Sequence, residues 1–538
     1  MKYKAILFDT RSIQKYIFSS NQLKANIGAS FLVDSVFDAV LLPTVREVMG
    51  ADALDAASWQ RAEEADWSVM PTAARVGYIG GGKALLLFDA GVEEETLRTI
   101  IGTFTKKLLI HAPGLRTGAA IGTLGLAADG SYVSAEDGSY DGTARLNPLF
   151  DRLKEAQNTV LPVVNVPYTG LTLACSESGE AANAWVDGRF YAWEVAAKLH
   201  PALPSGRKEA DVQTKLMDKL TSVLPPEERE DFMEGYAFPT EFARLGQKTP
   251  KNDIAVVHID GNNMGRKFQG CKTLTEYIRR SLSIRNDTIA AFAALVRHIT
   301  EHIDHYRDAL DLREEQGVLT LPIRPLVLGG DDMTFVCAGK VAVEFSHFLM
   351  QHMMQAGIAS CGGITIMNTN YPFFRAYEMA EELCGAAKAE MRALERAAGH
   401  ELDSCWLDFA ILHGEQPPTL AQFRAQEYRG ARGDLHFGPY RIYPAGDGAA
   451  DEKDLAALRD GVQRMRKLPN NKVKELRRVL AYGQHEQQQF MTQLRHLKLR
   501  MPAVSAWRAY EDALWADGQT PYVDAIELMD YIIADEEA

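Results

Sequence analysis

Cysteine is scarce. Six residues, Cys175, Cys271, Cys337, Cys361, Cys384 and Cys405, are scattered over 538 positions with no CxxC pair. That spacing excludes a disulfide framework and a structural zinc knot, and fits buried thiols in a reducing, cytoplasmic setting. No histidine is directly followed by aspartate, so an HD-type nuclease motif is missing and DNA cleavage is not expected. No apolar run is expected to reach membrane-spanning length, and the N-terminus lacks the basic, apolar and cleavage regions of a signal peptide. Basic charge is also short: 58 Lys and Arg stand against 72 Asp and Glu, a net charge of −14. Such a balance disfavours extended nucleic-acid surfaces but permits a local basic patch. The length predicts several domains with sizeable cores.

What is present is concentrated in Gly329-Gly330-Asp331-Asp332, set between the apolar runs Pro325–Leu328 and Met333–Cys337. Glycines at a hairpin tip let the backbone turn tightly and leave room for a phosphate or ribose. Adjacent carboxylates repel each other unless a cation sits between them, which points to Mg²⁺ or Mn²⁺. A third carboxylate, Asp260, ends the apolar run Ile254–Ile259 and precedes Gly261-Asn262-Asn263-Met264-Gly265. Three carboxylates on neighbouring strand ends form a clamp suited to phosphoryl transfer. Gly and Asp are also ordinary turn residues, so context must decide. Downstream, the pattern predicts a helix over 341–355, a strand over 360–367 and a long amphipathic helix over 374–397 carrying Lys388.

The first third repeats this layout. Lys4–Asp9 matches the strand ending in aspartate, Arg75–Phe88 matches the hairpin, and Thr117–Gly122 matches the following strand. Asp9 lies 71 residues before Gly80, and Asp260 lies 69 before Gly329. Gly82 and Lys83 then stand where Asp331 and Asp332 stand in the second copy. The first copy has lost its acidic pair, yet glycine amides and Lys83 can still cradle a nucleotide.

On Asp260–Gly265, Gly329–Asp332, Ser360–Ile366 and Lys388, residues 251–412 resemble the catalytic palm of the large cyclase subunit of type III CRISPR complexes, which is related to GGDEF cyclases. The match at Trp406–Ala410 is weaker. The opening Phe8–Phe18 and the stretch Leu23–Phe31 resemble the first palm of those subunits, and the two copies cover roughly three fifths of the chain. The sequence departs from that family at Asn262, where many members carry a second acid, and in lacking HD and zinc motifs.

The resemblance implies an α+β chain of two ferredoxin-like palm domains with helical inserts and a helical C-terminal domain. The expected boundaries are 1–175 for a degenerate palm, 176–250 for a helical linker, 251–415 for a catalytic palm and 416–538 for the C-terminal part. It implies ATP, or other nucleoside triphosphates, bound across the interface of the palms and converted to a cyclic oligoadenylate-type second messenger in antiviral defence. Asp260, Asp331 and Asp332 would hold the cations and act catalytically. Gly329, Gly330, Asn263, Gly265 and Lys388 would contact the nucleotide, and Gly80, Gly81, Gly82 and Lys83 would hold the acceptor. A scaffold subunit of an RNA-guided complex, with protein subunits and RNA as partners, and a guide-independent sensor are the alternatives. No membrane partner is expected, and base, linkage, ring size, activator and oligomeric state stay open.

Two further segments lie outside the repeat. Residues 452–500 hold twelve Lys or Arg against five Asp or Glu and read as a solvated helix face, a protein contact or a nucleic-acid patch. Trp185, Phe190, Tyr191, Trp193 and Val195 are expected to pack one helix, followed by a second over 208–224. The loop over 127–142 carries no recognisable chemistry.

Overall fold

The computed structural model describes residues 1–134, 146–159, 170–204, 210–247, 252–402, 404–414, 419–443 and 451–534. The chain forms two compact units, Met1–Leu224 with Asn263–Ile289, and Pro225–Asn262 with Ala290–Ala538.

In the first unit a six-stranded sheet runs Leu54–Asp55, Ala74–Gly80, Lys83–Asp89, Lys2–Arg11, Arg116–Leu126, Tyr132–Val133. In the second, the order is Ile323–Gly329, Asp332–Ala338, Asp253–Gly261, Ser360–Asn368, Cys405–Leu412, Tyr440–Ile442. Each sheet places the first strand of its copy in the middle, antiparallel to the hairpin on one side and to the following strand on the other. A central strand is covered on both faces, which is why Ile254–Val257 and Ala5–Phe8 read as unbroken apolar runs and are buried. The register also repeats. Asp9 faces Lys83 and Gly118, as Asp260 faces Asp332 and Cys361. Both hairpins shift register at one position, between Val76 and Tyr78 and between Pro325 and Val327.

The helix Phe373–Ala398 crosses the second sheet in close contact. A Cβ on Gly363 would lie 2.1 Å from the Ala380 carbonyl oxygen and 2.7 Å from the Cys384 amide nitrogen. Only glycine lets the helix backbone settle onto the strand there, and that contact brings Lys388 to the strand ends. Gly363→Ala is expected to lower stability by about 1–3 kcal/mol through overpacking. Chemical denaturation checks it, and an unchanged midpoint would remove the contact from the account.

The second unit is fastened at its C-terminal end by a buried polar network. His436 lies between Asp408, 2.9 Å from Nε2, and Asp524, 3.1 Å from Nδ1. Arg424 pairs with the other oxygen of Asp408. Asp524 Oδ2 also accepts from the Phe437 and Gly438 amides and the Tyr440 hydroxyl, at 2.9, 3.2 and 2.7 Å. Burial alone would lower the His436 pKa, but the two carboxylates push it up to about 9.

Two expectations need correction. The helical run Leu23–Met49 does reach the length and mean hydropathy of a membrane span, and 78% of its most apolar window is buried. Its apolar character serves packing, with Leu32, Val36, Val40 and Val45 fully buried. Trp185, Phe190 and Val195 do not share a helix: Ala184–Val186 and Arg189–Tyr191 form a hairpin, and only Trp193–Leu199 is helical. Alternation explains the hairpin, because Ala184 and Val186 pack inward while Trp185 and Phe190 meet edge to face on the outer face. The next helix spans Ala210–Thr221, and Lys208 and residues 135–142 lie outside the described residues.

Candidate active site

The turn Gly330-Asp331 joins strands that close with Gly329 opposite Asp332. Gly330 has φ +62, the left-handed value required at the first central position of a tight hairpin turn of this kind. Because strand neighbours in register lie side by side, Asp260 and Asp332 flank each other, and the Gly261 amide donates to the Asp331 carbonyl at 3.1 Å. Asp260, Asp331 and Asp332 therefore lie at the neighbouring ends of two strands. A Cβ built on Gly329 or Gly330 meets nothing within 4 Å, so the turn faces open space.

Electrostatics mark this cluster as short of positive charge. Burial, with the neighbouring Asp260 and Asp332 charges, pushes the Asp331 pKa up to about 6. Lys388 is ion-paired with Asp260. Although burial opposes it, the Asp260 carboxylate holds the Lys388 ammonium above its usual pKa. Lys388, Cys384 and Tyr377 recur at helical spacing along one buried face of their helix. The sequence reading missed His258. It lies two residues before Asp260, so it shares that residue's side of the strand. Its Nδ1 is 3.4 Å from Asp332 Oδ1 and 3.1 Å from Thr334 Oγ1. Burial lowers its pKa, against the neighbouring Asp260 charge. A histidine two residues before the strand-end aspartate was the signal available in the sequence.

Hard carboxylate oxygens at this density, one with a raised pKa, fit Mg²⁺ or Mn²⁺. Among the described residues no group of three or more His, Cys, Asp or Glu is already gathered as a cage, and the Lys388 ammonium lies against Asp260 instead. Mg²⁺ keeps several waters and needs only one or two carboxylates, so the donor set suffices. Asn262 takes no part: it is buried, and its amide nitrogen lies 3.0 Å from Met391 Sδ.

The other sequence candidates belong to the first unit. Asn263 stands at φ +59 before the helix Met264–Gln269, which contains Gly265. At the first hairpin, Lys83 Nζ is 3.4 Å from Asp9 Oδ1, and Gln157 donates to Asp9 Oδ2 at 3.2 Å. The Thr10 amide donates to the Gly82 carbonyl at 2.8 Å, the counterpart of the Gly261 bond to Asp331. The turns differ. Gly81 and Gly82 both have positive φ, +56 and +72, and a Cβ on Gly82 would lie 2.4 Å from Ile13 Cδ1. Restoring the acids with Gly82→Asp and Lys83→Asp is therefore expected to create no metal site and to cost about 1 kcal/mol or more in strain. Mn²⁺ titration and thermal denaturation of that variant check both parts.

The fold class is mixed α and β, with two sheets of like topology. Solved structures with a similar fold include the Csm1–Csm4 subcomplex of a type III-A CRISPR-Csm interference complex (13% identity, TM-score 0.49, covering 98% of this chain and 70% of that one). The cassette bound to pppApApA gives 11% identity and a TM-score of 0.49, over 98% and 69% of the two chains. The cassette bound to cA4 gives 12% and 0.43; the match covers 77% of this chain and spans about half of that one, 55%. No protein-family profile and no curated protein matches the chain.

Proposed function

We propose that the chain is a nucleotidyltransferase of the palm type, with one working and one degenerate palm, that joins ribonucleoside triphosphates into linear or cyclic oligonucleotides and releases pyrophosphate. The observation that carries this reading is the meeting of Asp260, Asp331 and Asp332 at adjacent strand ends beside an open glycine turn.

Asp260, Asp331 and Asp332 would hold divalent cations, which supply Lewis-acid activation of a ribose hydroxyl and charge neutralisation at the leaving group. The chain's own residues do the positioning. Gly329 and Gly330 leave space for phosphate against the backbone. Lys388 sits at Asp260 and is placed to neutralise a triphosphate once a cation takes over that carboxylate. His258 lies beside Asp332 on the buried side of the strand. In the degenerate copy Lys83 and Asp9 balance each other's charge, so a nucleotide would be held there by glycine amides and Lys83 without a metal pair.

ATP is the proposed main substrate, and the product a cyclic oligoadenylate-type messenger for antiviral defence, with CRISPR-type subunits and RNA as controlling partners. The ion pair of Lys388 with Asp260 favours one alternative, a nucleotide-binding subunit at rest until a partner acts. Pyrophosphate release from each nucleoside triphosphate in turn, with Mg²⁺ or Mn²⁺, tests the reaction class. Release from at least one supports the reading. No release, with and without added RNA, would leave only nucleotide binding.

A further inference from the structure

Part of the basic run at 452–500 is engaged by the protein itself. Arg464 pairs with Asp460, Lys472 with Glu475 and Arg477 with Glu527, while Arg466 donates to the Met529 carbonyl. Arg495 makes no ion pair among the described residues. With Arg432, Gln484, Gln488 and Thr492 it lines a cavity of about 480 Å³ in the second unit.

The cavity is open to solvent, with Arg432, Gln484, Gln488, Thr492 and Arg495 exposed, and one of its walls is held from inside. Buried Gln487 forms part of its wall, donating to the Tyr482 carbonyl at 3.1 Å and accepting from Arg432 Nη1 at 2.9 Å. The Ala513 carbonyl accepts from the same Arg432 nitrogen at 3.4 Å. Arg432 is thereby fixed before any ligand arrives, which limits the entropy lost on binding. Guanidinium groups match phosphate oxygens in pairs, and glutamine amides offer both a donor and an acceptor to a base edge. Asp512, also in the wall, disfavours a phosphate beside it and favours a base amino group there. The volume falls within the range of pockets for small ligands, about 300–1,000 Å³.

We propose that this cavity binds one ribonucleotide, its phosphate on Arg432 and Arg495 and its base edge on Gln484 and Gln488, at a site separate from the carboxylates. The nucleotide is either free or one unit of single-stranded RNA, and the test separates the two. Full-length protein is titrated against fluorescein-labelled ten-nucleotide oligo(A) and oligo(U) by anisotropy, and against AMP by calorimetry. Arg495→Glu is expected to weaken binding at least tenfold with an unchanged melting temperature. The Asp331→Ala/Asp332→Ala variant is expected to keep it. Loss for RNA only assigns an RNA strand, and loss for AMP as well assigns a free nucleotide. Gln484→Ala/Gln488→Ala, which removes no charge, is expected to weaken binding several-fold and stands in if Arg495→Glu fails to fold. Absence of binding by both probes, or equal binding by wild type and variants, overturns the proposal.

Discussion

Replacing Asp331 and Asp332 together by alanine is expected to lower product formation by about 10³-fold or more, because the charge stabilisation of phosphoryl transfer is lost. The fold should survive, since the turn geometry rests on Gly330 and the strand register rather than on the carboxylates. Stability carries a second signature. Asp331 has a raised pKa, so its contribution to stability is fully present below the unfolded carboxylate value near 4 and is lost as pH rises through about 6. At pH 8 the variant should therefore melt no lower than wild type, and below about pH 4 it should hold no advantage. Divalent cation reverses the comparison. At a hundred times its dissociation constant, Mg²⁺ should stabilise wild type by about 2.7 kcal/mol and leave the variant unmoved. Retained synthesis, or an equal Mg²⁺ response in both proteins, would contradict the assignment.

The largest expected loss of stability comes from Asp524→Ala. It strips an acceptor from two backbone amides, from the Tyr440 hydroxyl and from a buried, charged His436 at once. Breaking a buried pair by removing one partner costs about 3–5 kcal/mol, because the remaining charge stays buried without compensation. The raised His436 pKa gives a pH test with a definite sign. The contribution of this group is fully present below its unfolded value near 6.5 and disappears as pH rises through about 9. Asp408, whose pKa its Arg424 and His436 partners lower against burial, acts oppositely and loses its contribution in acid. Urea denaturation of wild type and His436→Gln from pH 6 to 10 checks this, and wild type alone should lose stability over that range. A shift under 1 kcal/mol for Asp524→Ala would show that the network does not fasten the C-terminal end.

The strand ends were legible because a carboxylate after an apolar run, followed some seventy residues later by a glycine turn, leaves few geometries open. The repeat was legible for the same reason, and its register holds residue for residue from Asp9 and Lys83 to Asp260 and Asp332. Partnerships across long sequence distances were not legible. The ion pair of Lys388 with Asp260 depends on how closely one helix approaches the sheet, which Gly363 permits but does not announce. His258 lies within the apolar run Ile254–Ile259, and only its place two residues before Asp260 sets it apart. The Asp408–His436–Asp524 network joins three segments with no common pattern. The Trp185 hairpin misled because aromatics at mixed spacing fit a helix as well as an alternating strand.

The most direct test is mass spectrometry of the products formed from all four ribonucleoside triphosphates with Mn²⁺, comparing wild type with Asp331→Ala/Asp332→Ala. The account predicts an oligonucleotide, linear or cyclic, made by wild type and absent from the variant. The same product from both proteins would contradict the claim that these carboxylates carry the chemistry.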